Sequence, residues 1–112
     1  MLFRSYINGT AASVLIDTGA TFVSIPAAEA ARMAIEYGAG PRVRLSTAGG
    51  VRDGYRVTLA SLRIGDITLY HVDAVVMAGG SEGLGAIVVG NSFLNGVEWH
   101  RAGDTLTLTQ RR

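Results

Sequence analysis

Val14-Leu15-Ile16-Asp17-Thr18-Gly19-Ala20-Thr21-Phe22-Val23 is the stretch on which the fold turns. Three apolar residues with strand character run into an acid. Two threonines then flank Gly19-Ala20, and the apolar pattern resumes. A carboxylate placed there sits at the edge of a core, where partial desolvation favours its protonated form. Gly19 permits close backbone approach, and Thr18 and Thr21 supply hydroxyls that can brace a loop. An Asp-Thr/Ser-Gly tripeptide alone arises by chance in roughly one chain in twenty of this length. The apolar flanks strengthen the signal, and a polar turn closing a hairpin is the other reading of these residues.

On the N-terminal side, residues 2–7 read as a strand and Asn8-Gly9 as a hairpin turn, both residues tolerating positive φ. Residues 13–16 form the return strand. On the C-terminal side, residues 26–36 are the one good helix candidate, with proline in the first turn and Gly38 placed to end it. From Arg42 onward strands alternate with glycine turns. Residues 42–47 and 51–59 flank Ala48-Gly49-Gly50, and 62–64 lead into a Gly65-Asp66 turn. Residues 67–77 are strand-like, 78–85 form a glycine-rich loop, and 86–89 a short apolar strand. Residues 91–95 read as a single helical turn. Segments 97–100 and 105–109 make a last hairpin. Many short strands at this spacing predict an all-β closed barrel or a sandwich.

The 112 residues suit a single domain spanning 1–112, and 48% hydrophobic content suffices for a core without metals or disulfides. Fifteen glycines against two prolines fit a turn-rich β architecture. The net charge of +1 argues against nucleic acid as the main partner. Arg42, Arg44, Arg52, Arg56 and Arg63 are spread among apolar residues and read as solvated strand faces. With no cysteine, thiolate catalysis, disulfides and cysteine-ligated zinc are excluded. His71 and His100 alone make a poor metal site. No Gly-x-Ser-x-Gly elbow is present. Residues 79–85 lack the Gly-Lys-Ser/Thr ending of a phosphate loop, and Glu82 would repel phosphate. Trp99, Phe93 and Leu94 read as core. No run reaches the ~18 apolar residues of a membrane-spanning helix, so no membrane contact is expected within this chain.

A second motif changes the weight of the first. Ile87-Val88-Val89-Gly90-Asn91 reads by itself as a buried strand ending at glycine. An apolar-apolar-Gly strand in the last third of a chain, after one Asp-Thr-Gly loop in the first, resembles the retropepsin-like aspartic proteases, in particular their bacterial branch. The resemblance extends through Ala48-Gly49-Gly50, Ile64-Gly65-Asp66, Val88 to Leu94 and Glu98-Trp99. It implies a closed acid-protease barrel with one short helix, one lobe per chain, and an aspartic endopeptidase acting without metal or organic cofactor. Asp17 matches the catalytic aspartate. Thr18 matches the residue whose hydroxyl bonds across the subunit interface, and Gly19 the glycine whose N–H supports the carboxylate. Ala20 and Thr21 complete the loop, and Val88, Val89 and Gly90 match the segment beneath it. Thr47, Ala48, Gly49, Gly50 and Val51 occupy the position of the substrate-binding flap. Asn91 stands where viral members often carry arginine, and the flap is less apolar at its tip. Bacterial members often place this domain outside the cytoplasm behind an N-terminal hydrophobic anchor.

Peptide hydrolysis by carboxylates needs two acids on one water. The chain has one Asp-Thr-Gly, and Asp53, Asp66, Asp73 and Asp104 lie in turn or strand contexts without such a loop. The expected assembly is therefore a homodimer with one Asp17 from each chain, acting on a peptide or protein substrate. A catalytically idle dimerisation or peptide-binding module of the same fold is the first alternative, and a β-barrel ligand-binding domain the second. The glycine tip between two strand arms generates a test. Amides of residues 47–53 should exchange rapidly in the free protein and slowly with an extended peptide inhibitor bound. Gly49→Pro should lower turnover more than Tm. Unchanged exchange there, with protection arising elsewhere, would move the cleft to another face.

Overall fold

The computed structural model describes residues 2–47, 50–77 and 86–110, with the side chains of Ser46 and Thr47 left out. Among the described residues there are nine strands: β1 (Leu2–Ile7), β2 (Thr10–Ile16), β3 (Val23–Pro26), β4 (Arg42–Thr47), β5 (Gly50–Ile64), β6 (Ile67–Met77), β7 (Ile87–Val89), β8 (Val97–Ala102) and β9 (Thr105–Gln110). The two helices are short: α1 (Ala27–Arg32) and α2 (Asn91–Leu94). Ala48, Gly49 and the 78–85 loop lie outside the described residues. No helix among those described is long and apolar enough to cross a membrane, and no group of three His, Asp or Glu side chains among them could hold a metal ion.

The main sheet runs β1-β2-β7-β3-β6-β5-β4, and β1 also pairs with β5. Six strands thus close a ring, which removes their free edges, and β4 hangs outside it. Closure requires two parallel pairings in an otherwise antiparallel sheet, β2 with β7 and β3 with β6. Strand β7 lies between β2 and β3. The inward side chains, among them Ile7, Val14, Val23, Ile25, Leu59 and Val89, are fully buried. Phe93 and Leu94 of α2 close one end, as read from sequence. Ser5 is the buried polar side chain among them, and its hydroxyl donates to the Ala12 carbonyl at 3.0 Å. Arg42, Arg44, Arg56 and Arg63 are exposed, and Arg52 is half-buried.

Three boundaries differ from the sequence expectation, each for a physical reason. Strand β2 starts at Thr10, directly after the Asn8-Gly9 turn, whose residues both have positive φ. Helix α1 stops well before Gly38. Ala34 adopts φ +57°, its N–H donates to the Ala31 carbonyl, and the Ile35 N–H reaches back to the Ala30 carbonyl at 2.8 Å. This is a Schellman stop with alanine in the left-handed position, and it lets Ile35 pack against the core. The two segments read as 51–59 and 62–64 are one strand, β5.

That strand nonetheless changes phase where the sequence suggested a break. Leu59 pairs with Val72 and Leu62 with Leu69, all four facing inward. Between these pairs each strand carries two residues where alternation allows one. Ala60 and His71 are the positions missing from the ladder, and His71 has φ +57°. A bulge on both strands at once leaves the register intact while exchanging which parity faces the core. A left-handed conformation costs a non-glycine residue about 1–2 kcal/mol. His71 already bears that cost, so His71→Gly should be neutral or stabilising in denaturant unfolding, whereas β-branched His71→Val should lower stability further.

Candidate active site

The six residues from Asp17 to Phe22 connect β2 to β3, and these strands are not neighbours. Strand β7 separates them, so the connection must pass across the end of β7. The Asp17 N–H donates to the Val89 carbonyl at 3.0 Å, extending the β2–β7 ladder by one residue. The loop then turns on itself: the Ala20 N–H reaches the Asp17 carbonyl at 3.1 Å, and the Gly19 N–H donates to Asp17 Oδ1 at 2.8 Å. A carboxylate oxygen accepting a backbone N–H is held in one orientation.

Gly90 lies directly against this crossing. A Cβ built on it would stand 2.5 Å from the Ala20 carbonyl oxygen and 2.5 Å from that of Phe22. Both are backbone atoms of the loop and cannot swing aside. Gly90 also caps α2, whose first amides are aimed at the loop: Asn91 N–H donates to the Ala20 carbonyl and Ser92 N–H to the Thr21 carbonyl, each at 2.8 Å. Val88 is half-buried and Val89 fully buried behind the loop.

The side chains of the same turn finish the support. Asn91 Nδ2 donates to the Thr18 carbonyl at 3.1 Å. Ser92 Oγ accepts the Val23 N–H at 3.0 Å and donates to the Asp73 carbonyl at 2.7 Å, tying β3, β6 and α2 together. From sequence alone Asn91 is only a departure from a viral arginine, and Ser92 has no distinct role. The available signal was two short polar side chains opening a helix directly after a buried apolar strand. Such residues bond to nearby backbone more readily than to one another.

Asp17, Thr18 and Gly19 are exposed. The partial desolvation expected for Asp17 is therefore absent within a single chain. Asp17 and Thr18 lie at one wall of a cavity of about 330 Å³, whose other walls include Phe3, Ile16, Trp99, Arg101, Asp104 and Leu106. Trp99 is not core. It is 43% exposed because β8 and β9 form a separate two-stranded ribbon outside the ring, with only Val97 of β8 buried. Of the residues expected to form a flap, Thr47 and Gly50 pair across the β4–β5 hairpin, while Ala48 and Gly49 lie outside the described residues. Val51 on that hairpin is 67% exposed. Among the described residues β6 pairs with β5 from Gly54 to Ile64, and β4 pairs with β5 from Gly50 to Tyr55.

Comparison with known proteins agrees with this geometry. A family model described as "gag-polyprotein putative aspartyl protease" matches residues 3–96. The crystal structure of a retropepsin-like aspartic protease from Rickettsia conorii superposes with a TM-score of 0.76 at 20% identity, covering 96% of this chain and 88% of that one. At that identity the likeness is one of fold. No curated protein matches the chain. The contact at Gly90 generates a test: Gly90→Ala should displace the loop or cost about 1–3 kcal/mol in unfolding free energy, as overpacking typically does. A crystal structure or amide shifts at residues 17–22 would read the displacement directly.

Proposed function

The chain belongs to the family of gag-polyprotein aspartyl proteases, retropepsin-like in fold, and we propose that it is an aspartic endopeptidase whose active site is completed by a second copy. The observation that carries this reading is the state of Asp17. Its carboxylate is exposed, oriented by the Gly19 N–H, and mounted on a loop braced from β7 and α2. An idle binding module has no use for an acid held so firmly.

In the proposed dimer two Asp17 carboxylates face each other across a two-fold axis and hold one water between them. Carboxylates that close cannot both be ionised, so the pair keeps one proton, as aspartic proteases do as a class. The ionised member takes a proton from the water as its oxygen attacks the scissile carbonyl carbon. The protonated member gives its proton to the carbonyl oxygen. The tetrahedral species is a gem-diol. On its collapse the C–N bond breaks, the nitrogen takes the proton gained by the first carboxylate, and one hydroxyl returns its proton to the second, which restores the starting pair. Thr18, beside Asp17 at the cavity wall, is placed to bond to its counterpart loop. The β4–β5 hairpin, with its exposed Val51, serves as the flap that pairs with an extended substrate.

The ribbon supports the dimer. A two-stranded ribbon is marginal by itself in water. This one rests on the barrel through Val97 and Leu108 and leaves Trp99 43% exposed on the cavity that Asp17 lines. Packing against a second chain would shelter it. One observation favours a second reading: Asp104 lines the same cavity as Asp17, so a monomeric pair is geometrically conceivable.

The two readings separate experimentally. Asp17→Asn keeps an oxygen to accept the Gly19 N–H, so it should fold normally and lose at least ~10³-fold in turnover. Specific activity of the wild type should fall on dilution, and excess Asp17→Asn chains should poison it through mixed dimers. Asp104→Asn should retain activity. Constant specific activity on dilution together with an inactive Asp104→Asn would establish the monomeric pair instead. Full turnover by Asp17→Asn would remove the protease assignment from this site.

A further inference from the structure

Arg56 is an exposed residue of β5 paired opposite Val75, and an exposed arginine usually contributes little. Its neighbours set it apart. Nη2 lies 2.9 Å from Asp73 Oδ2 on β6. The guanidinium carbon lies 5.4 Å from the centroid of the Phe22 ring, within the range of a cation–π contact. Phe22 is the last residue of the Asp17 loop. Its carbonyl rests against Gly90, and the N–H that follows it is held by Ser92. Asp73 receives Arg56 on its side chain and the Ser92 hydroxyl on its carbonyl. One residue thus joins the arginine to the turn that braces the loop.

The main chain of Arg56 belongs to a different part of the molecule. Its N–H donates to the Pro41 carbonyl at 2.8 Å, just before β4 begins. A Cβ on Gly40 would stand 2.4 Å from its carbonyl oxygen, so the chain entering β4 lies tightly against it. From Gly50 to Tyr55, directly before Arg56, β5 is paired along its length with β4. Arg56 is therefore fixed by its backbone to the root of the β4–β5 hairpin and by its side chain to the end of the Asp17 loop.

We propose that Arg56 is a positioning residue for hydrolysis, coupling the placement of the β4–β5 hairpin to that of the Asp17 loop. This rests on the endopeptidase reading above. A guanidinium can offer N–H groups in its plane to a carboxylate while its face meets an aromatic ring, and an ammonium group cannot do both. Movement of the hairpin root is then felt at Phe22, and through it at the carbonyls that lie over Gly90. Substrate binding under the hairpin settles the loop that carries the acid.

The test compares wild type with Arg56→Met, Arg56→Lys and Phe22→Leu. Arg56→Met should lower kcat by about 10- to 100-fold, the scale of a small misplacement of reacting groups, with KM changed by less than about threefold. Arg56→Lys should recover only part of the loss. Phe22→Leu combined with Arg56→Met should be little worse than Arg56→Met alone, since both remove one linkage. Independently of turnover, amides of residues 18–23 should exchange faster in Arg56→Met while those of β1 and β2 away from the loop stay unchanged. Wild-type kcat and loop exchange in Arg56→Met would overturn the coupling. A uniform rise in exchange across the barrel, or a loss confined to KM, would also overturn it, marking Arg56 as a structural or binding residue only. If the wild type cleaves no peptide or protein substrate, the endopeptidase reading falls, and the exchange measurement alone decides whether Arg56 governs the loop.

Discussion

The close approach of Gly90 to the carbonyls of Ala20 and Phe22 governs this structure. Because β7 is inserted between β2 and β3, the chain leaving β2 must cross the end of β7 before it can enter β3. Any side chain at that end would hold the crossing away from the barrel. Without one, the loop settles close enough for the first amides of α2 to bond its carbonyls and for Asn91 and Ser92 to fix both its ends. The carboxylate of Asp17 owes its orientation to this arrangement as much as to the Gly19 amide. Sheet topology and site geometry have a common cause here, since the strand order that closes the barrel also forces the loop across it.

Much of this was legible in the sequence because local chemistry and tertiary demand agree. Asn8-Gly9 announces a hairpin, and the strand pattern of residues 42–47 and 67–77 meets no competing signal. Asp17-Thr18-Gly19 followed much later by Val88-Val89-Gly90 locates the two halves of the candidate site. Illegible features depended on what lay across the sheet. Helix α1 ends at Ala34 because Ile35 has a place in the core, a fact that alanine-rich composition conceals behind the stronger stop signal of Gly38. Trp99 reads as core on hydrophobicity alone, yet its strand lies outside the ring. The parts played by Asn91 and Ser92 are invisible without the loop they hold, since a polar side chain does not disclose which carbonyl it will meet.

The molecule divides its rigidity unevenly. The ring of six strands has no free edge, and nearly every inward side chain is sealed. By contrast, among the described strands β4 lies outside the ring with β5 as its partner, and the β8–β9 ribbon is a second sheet that meets the core through Val97 and Leu108. Exposed charge on the hairpin arms is arranged modestly: Arg42 and Arg44 share Asp53 at 3.3 and 3.5 Å, contacts too solvated to stiffen it.

The double bulge at Ala60 and His71 has a consequence for how such a barrel can change over evolutionary time. A deletion of either residue alone would leave its partner unmatched and convert a symmetric kink into a one-sided one, bending β5 and β6 differently. Loss of both together would restore plain alternation while keeping Leu59, Leu62, Leu69 and Val72 facing inward. The two positions therefore form one heritable unit, split across the Gly65-Asp66 turn. Lineages of this fold should be found with both residues or with neither, and a shortened hairpin carrying only one of them should be rare.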